Sequence, residues 1–132
     1  MSKNKIIISF LIIAALSVTV TGCYKTTTLL ENNSPVITTT VSLSKDLQPI
    51  FTAHCALSGC HNGSISPNLS SGNAYNSLSN GGFLNTGSPA NSVVYLWLSG
   101  KESATMPLGA APNPGNIEGY ILAWITQGAH NN

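Results

Sequence analysis

Cys55-Ala56-Leu57-Ser58-Gly59-Cys60-His61 is the stretch on which the reading of this chain turns. Two thiols are separated by four residues, and an imidazole follows the second at once. Thiols and imidazole are both nucleophiles and ligands, so this adjacency concentrates reactive chemistry at one point of the backbone. Ser58-Gly59 between the cysteines is flexible enough to let the intervening residues bulge. Upstream, apolar residues fall at Leu43, Leu47, Ile50 and Phe51, a helical stripe that reaches His54 and ends at the motif. Ser44 or Asp46 is the expected cap, and Pro49 then falls in the first turn, where an amide would lack a partner anyway.

Downstream, Asn62-Gly63 signals a turn and residues 63–67 an irregular loop. Ser70 or Ser71 is expected to cap a short helix through Ala74, Tyr75 and Leu78 that Gly81-Gly82 terminates. Ser88, Pro89 and Gly100 bracket a third helix containing Val93, Val94, Tyr95, Leu96, Trp97 and Leu98, apolar enough to be buried on most sides. Residues 101–116 read as loop and hold Met106, followed by a helix that Asn116 caps and Gly128 stops. Its Ile117, Tyr120, Ile121, Trp124 and Ile125 keep spacings of three and four, as one buried face requires. No repeat and no convincing strand pairing is visible. The fold class is therefore all-α, with three to five helices.

Only 7% of the 132 residues are charged, and the chain makes one domain with attachments. Lys3 and Lys5 precede an apolar run over residues 6–15, the pattern of a secretory signal peptide and too short to favour a membrane span. Val20-Thr21-Gly22-Cys23 resembles the bacterial lipobox, which implies cleavage after residue 22 and a lipidated Cys23. An ordinary signal peptide with an incidental Cys23 is the plainer alternative. Residues 23–42, rich in Thr, Asn and Ser, read as a flexible tether, and residues 43–132 as the domain. After residue 22, Lys25, Lys45 and Lys101 face Glu31, Asp46, Glu102 and Glu118, so there is no basic patch for nucleic acid and little charge to steer a partner.

Taken together, the Cys-x4-Cys-His motif, Leu47-Gln48-Pro49-Ile50-Phe51 before it, Met106-Pro107-Leu108-Gly109 and Trp124-Ile125-Thr126-Gln127-Gly128-Ala129 resemble the c-type cytochrome family, in order, over roughly residues 44–132. The commoner motif has two residues between the cysteines. The resemblance implies a small class I-like domain around a covalent haem c, with Cys55 and Cys60 attached to it, His61 as proximal ligand to iron and Met106 as distal ligand. It also implies that the first and last helices pack face to face, with Leu47, Ile50 and Phe51 against Tyr120, Ile121 and Trp124. A carbonyl of the 63–67 loop is expected to orient His61 through its second nitrogen. His54 adjoins Cys55, and His130 stands near a tail expected to fray, so both compete poorly with Met106. Trp97, Trp124 and Tyr120 are expected to be core aromatics.

The function so implied is not enzymatic. It is single-electron transfer between membrane or periplasmic redox partner proteins, from a lipid anchor in the bacterial cell envelope, by default the outer membrane facing the periplasm. Three other readings remain open at this point. A Cys55–Cys60 disulfide would make the chain a non-redox surface lipoprotein, although so short a loop removes little unfolded-chain entropy. A haem with an open distal site would make it a sensor. The same cysteines and His61, with His54, could instead hold zinc.

Overall fold

A helix must find partners for its first amides, and here they come from close at hand and from far along the chain. The computed structural model describes residues 34–132, so the expected signal peptide and the expected lipidation site Cys23 lie outside the described residues. Ser42 Oγ accepts from the Lys45 amide at 3.3 Å, and Asp46 Oδ2 accepts from the Ser42 amide at 2.7 Å, a reciprocal cap. The cap is thus Ser42 and not Ser44 or Asp46, because starting there lets the Asp46 carboxylate reach back. A π-helical turn over Leu43–Leu47 runs into α1, Gln48–His54, with Pro49 in the first turn of α1.

The next two amides are served by the last residue of the sequence. Leu43 N donates to Asn132 Oδ1 at 2.9 Å, and Ser44 N to the Asn132 carbonyl at 2.8 Å. Asn132 Nδ2 in turn donates to the Val41 carbonyl, and the Trp124 indole N–H to the His130 carbonyl at 2.9 Å. The tail is therefore fastened where fraying was expected. Asn132→Ala should lower stability by about 1–2 kcal/mol through the loss of a cap. Denaturant melts of the two proteins measure that difference directly.

Helix α2, Ala74–Asn80, follows a turn in which the Ser70 carbonyl accepts from the Asn73 and Ala74 amides. Neither Ser70 nor Ser71 caps it, since Ser70 Oγ is engaged with the Asn68 and Asn73 side chains. The single helix expected from Ser88 to Gly100 is broken in two: a 3-10 turn over Pro89–Asn91, then α3 over Val93–Leu98. Ser92 between them is extended and fully buried, and its Oγ accepts from the Asn85 amide at 2.9 Å. A serine that can satisfy a neighbouring backbone in this way competes with the helix.

Helix α4, Ile117–Thr126, follows a second 3-10 turn, Pro114–Asn116. Asn116 holds the expected cap position but stands in the left-handed region and makes no side-chain cap, and the Glu118 amide donates instead to Asn113 Oδ1 at 2.9 Å. Ile117, Ile121, Trp124 and Ile125 are buried as their spacing required, whereas Tyr120, expected on the same face and in the core, is only half-buried against it. The buried ones share one core with Leu43, Leu47, Phe51, Leu69, Leu78 and Leu98. The expected face-to-face packing of first and last helices takes another form. Helix α4 packs on the π-helical turn and on α3, while α1 meets the Pro114–Asn116 turn, where Ile50 lies against Gly115. The left-handed Gly115 leaves room for Ile50, which draws α1 toward the start of α4.

Residues 34–41, read above as the end of the tether, lie along α4. Gln127 donates to the Thr39 carbonyl at 3.0 Å and accepts from the Val41 amide at 2.8 Å. Ser34 donates to the buried Glu118, and Asn116 Nδ2 to the Pro35 carbonyl. The folded unit therefore takes in this strap, whose Val41 is buried in the core. Among the described residues there is no strand, and no helix is long and apolar enough to cross a membrane.

Candidate cofactor-binding site

Helix α1 delivers the motif. Its last turn closes with the Cys55 and Ala56 amides donating to the Phe51 carbonyl. A tight turn follows, with the Cys60 amide on the Leu57 carbonyl at 2.9 Å and Gly59 at a φ of 78°. The His61 amide then returns to the Cys55 carbonyl at 3.1 Å. The wide spacing is absorbed in this turn, which brings His61 back beside Cys55. A left-handed glycine is what such a reversal needs.

The loop after His61 fixes the ring. The Leu69 amide donates to the His61 carbonyl at 2.6 Å, and the Ile65 amide to the Cys60 carbonyl at 3.0 Å. His61 Nδ1 then stands 3.1 Å from the Pro67 carbonyl and 3.3 Å from that of Ile65. A carbonyl can only accept, so in the neutral ring Nδ1 carries the proton and Nε2 keeps its lone pair. Nε2 is thereby left with a free lone pair. The expected partner carbonyl is present, supplied by Pro67 and Ile65.

Beside this motif opens a cavity of about 460 Å³, within the range of small-molecule and cofactor sites. Cys55, Cys60, His61 and Met106 all line it, so residues far apart in sequence converge on one space. Its other walls are the 65–69 loop, Phe83, Val94, Trp97 and Leu98, with Pro107 and Leu108 at the Met106 end. No Asp, Glu, Lys or Arg lines it, and apolar walls of this kind disfavour charge. His54 touches the cavity from an exposed position; His130 does not line it.

The cavity also corrects the burial expected of α3. Val94 and Trp97 are half-buried because they face this space, while Leu98 is buried. Trp124 is a core residue as expected, whereas Trp97 is a cavity wall. Phe83, Val94 and Leu108 were not singled out as site residues. They follow no motif, and only the chain's path brings them to one surface.

Met106 is held from one side. Its amide donates to the Trp97 carbonyl at 3.1 Å, which ties the loop to the last turn of α3. The thiols of Cys55 and Cys60 are free, the first half-buried and the second exposed. Burial, and then the neighbouring Cys60 thiolate, push the Cys55 thiol up to about 11. At pH 8 iodoacetamide should therefore modify the exposed Cys60 first. Cys55 should lag, because at that pH only about one thiol in a thousand is ionised. Peptide mass mapping over a pH series checks this. Because the folded thiol holds its proton longer than the unfolded one, stability from this source is present below about pH 9. It is lost as pH rises through about 11.

Among the described residues, no three or more His, Cys, Asp or Glu side chains gather to hold a bare metal ion. No protein-family model, curated protein or solved structure matches this chain.

Proposed function

We propose that the chain is a lipid-anchored monohaem c-type cytochrome carrying single electrons between membrane or periplasmic redox partners. The observation that supports this best is the convergence on one apolar cavity of Cys55, Cys60, an Nε2-presenting His61 and Met106. A haem is a flat, largely apolar ring with two vinyl groups and an iron. Two thiols, an imidazole lone pair and a thioether are the donor set that such a group requires. The apolar walls and the 460 Å³ volume suit it as well.

Cys55 and Cys60 would hold the group through thioether bonds, and His61 would ligate iron through Nε2. The Pro67 and Ile65 carbonyls accept from the other ring nitrogen and fix the tautomer and the orientation of the imidazole. Met106 would supply a second, thioether ligand. When bound, the haem supplies one-electron redox chemistry, and pairing a thioether with an imidazole raises its potential. Phe51, Trp97 and Leu98 give the cavity apolar walls, which would disfavour the more highly charged oxidised form. With both protein ligands in place there is no open position for substrate, so the reading is a carrier and not an enzyme. Its setting would be the bacterial cell envelope, by default the outer membrane facing the periplasm.

The test is to produce the chain alongside a cytochrome c maturation system and record oxidised and dithionite-reduced spectra with a haem stain of the denaturing gel. A sharp reduced α-band with haem retained on the gel is expected. A colourless protein without free thiols would overturn the reading and leave a tethered module with a Cys55–Cys60 disulfide. Met106→Ala should abolish the weak near-infrared absorption of a methionine-ligated ferric haem; if that absorption persists, the distal assignment fails.

A further inference from the structure

We infer that Gly100 and Thr105 form a stop that sets where Met106 stands in the cavity wall; this rests on Met106 being the second ligand. Helix α3 ends in paired bonds, from the Lys101 amide to the Leu96 carbonyl at 3.0 Å and from the Gly100 amide to the Trp97 carbonyl at 3.4 Å. That closure needs Gly100 in the left-handed region, where its φ is 69°. Residues 101–105 then make a closed excursion. It returns where the Met106 amide meets the same Trp97 carbonyl, at 3.1 Å. The Lys101 ammonium lies over the Tyr95 ring, 5.4 Å from its centre, and holds the start of the excursion.

The return is shaped by contact. A Cβ placed on Gly100 would stand 2.6 Å from Thr105 Oγ1 and 3.7 Å from Thr105 Cβ. Thr105 thus rests in the space that glycine leaves open, and Met106 is the next residue. Beyond Met106 the loop is largely solvent-facing, with Leu108 66% exposed, so it offers little to correct a displacement. Gly100 and Thr105 are positioning residues: they touch no ligand and act on Met106 through the backbone.

In the haem-loaded full chain, added imidazole competes with Met106 and reports how firmly the methionine is seated. Gly100→Ala should bind imidazole about tenfold more tightly than the parent, because left-handed strain and the Thr105 contact together reach the ~1.4 kcal/mol that a factor of ten represents. Adding Thr105→Ala removes the contact but not the strain, so the double variant should fall between the two. Gly72→Ala is the control, since Gly72 is also left-handed, at a φ of 80°, but has nothing within 4 Å of the added Cβ. It should lower the melting temperature and leave imidazole affinity unchanged.

Met106→Ala calibrates the assay and should bind imidazole most tightly. If it does so while Gly100→Ala matches the parent, or if Gly72→Ala tightens binding as much as Gly100→Ala, the stop is overturned and the ligand stands. If Met106→Ala has no effect, the ligand assignment fails instead. The Met106 methyl resonance then decides the stop by itself: it should move in Gly100→Ala and not in Gly72→Ala, and an unmoved resonance refutes it.

Discussion

In the proposed cytochrome, His61→Ala, matured in the same way, should keep the haem on the denaturing gel and lose the low-spin spectrum entirely. The two outcomes separate because they depend on different atoms. Attachment needs only the thiols of Cys55 and Cys60, which stay in place when the imidazole is removed. Ligation needs Nε2, which is presented only because the Pro67 carbonyl, 3.1 Å away, holds the other nitrogen. Deleting the ring leaves an opening beside the Pro67 and Ile65 carbonyls, and added imidazole should enter it and restore the low-spin bands in part. His54→Ala removes an exposed ring at the edge of the cavity and should leave ligation unchanged. An unchanged low-spin spectrum in His61→Ala would sink the proximal assignment.

Trp124→Ala should be the most damaging change to the fold. The indole is 1% exposed, and its N–H donates to the His130 carbonyl. Truncation empties the centre of the core and leaves that carbonyl without its partner, a loss of about 3–5 kcal/mol for the side chain and a further ~1 kcal/mol for the bond. A domain of this size has roughly 5–15 kcal/mol in total, so the haem-free variant should melt without a cooperative transition near room temperature. Trp124→Phe keeps most of the volume and should retain a transition at a lower denaturant midpoint. Trp97→Ala gives the contrast. As a half-buried cavity wall it should change the haem spectrum more than the unfolding free energy. If Trp124→Ala and Trp97→Ala destabilise equally, the assignment of one to the core and the other to the cavity is wrong.

The two variants also divide the molecule by how legible it was. The α4 stripe could be read from spacing, because a helix repeats every 3.6 residues and its buried face is written locally. The motif could be read for the same reason: Cys55, Cys60 and His61 are brought together within seven consecutive residues by a turn whose glycine is visible in the sequence. A carbonyl partner for His61 within the 63–67 loop was equally local, since Ile65 and Pro67 lie four and six residues away.

What the tertiary structure alone decided are the partners that meet across long stretches of chain. Gln127 holds Val41 across 86 residues, and Asn132 caps Leu43 across 89. Neither side chain differs in sequence from a glutamine or asparagine in water. The strap and the fastened tail were therefore invisible, and residues 34–41 looked like tether. The break at Ser92 was hidden for the same reason, since its hydroxyl leaves the helix for the Asn85 backbone only when the fold brings Asn85 there. The cavity is the largest instance. Phe83, Val94, Trp97 and Leu108 are ordinary apolar residues in one dimension, and they become a wall because α3 and the Met106 loop are folded over the motif. Local periodicity and covalent spacing belong to the sequence by itself, whereas which side chains face a common void is fixed only when every element has been packed.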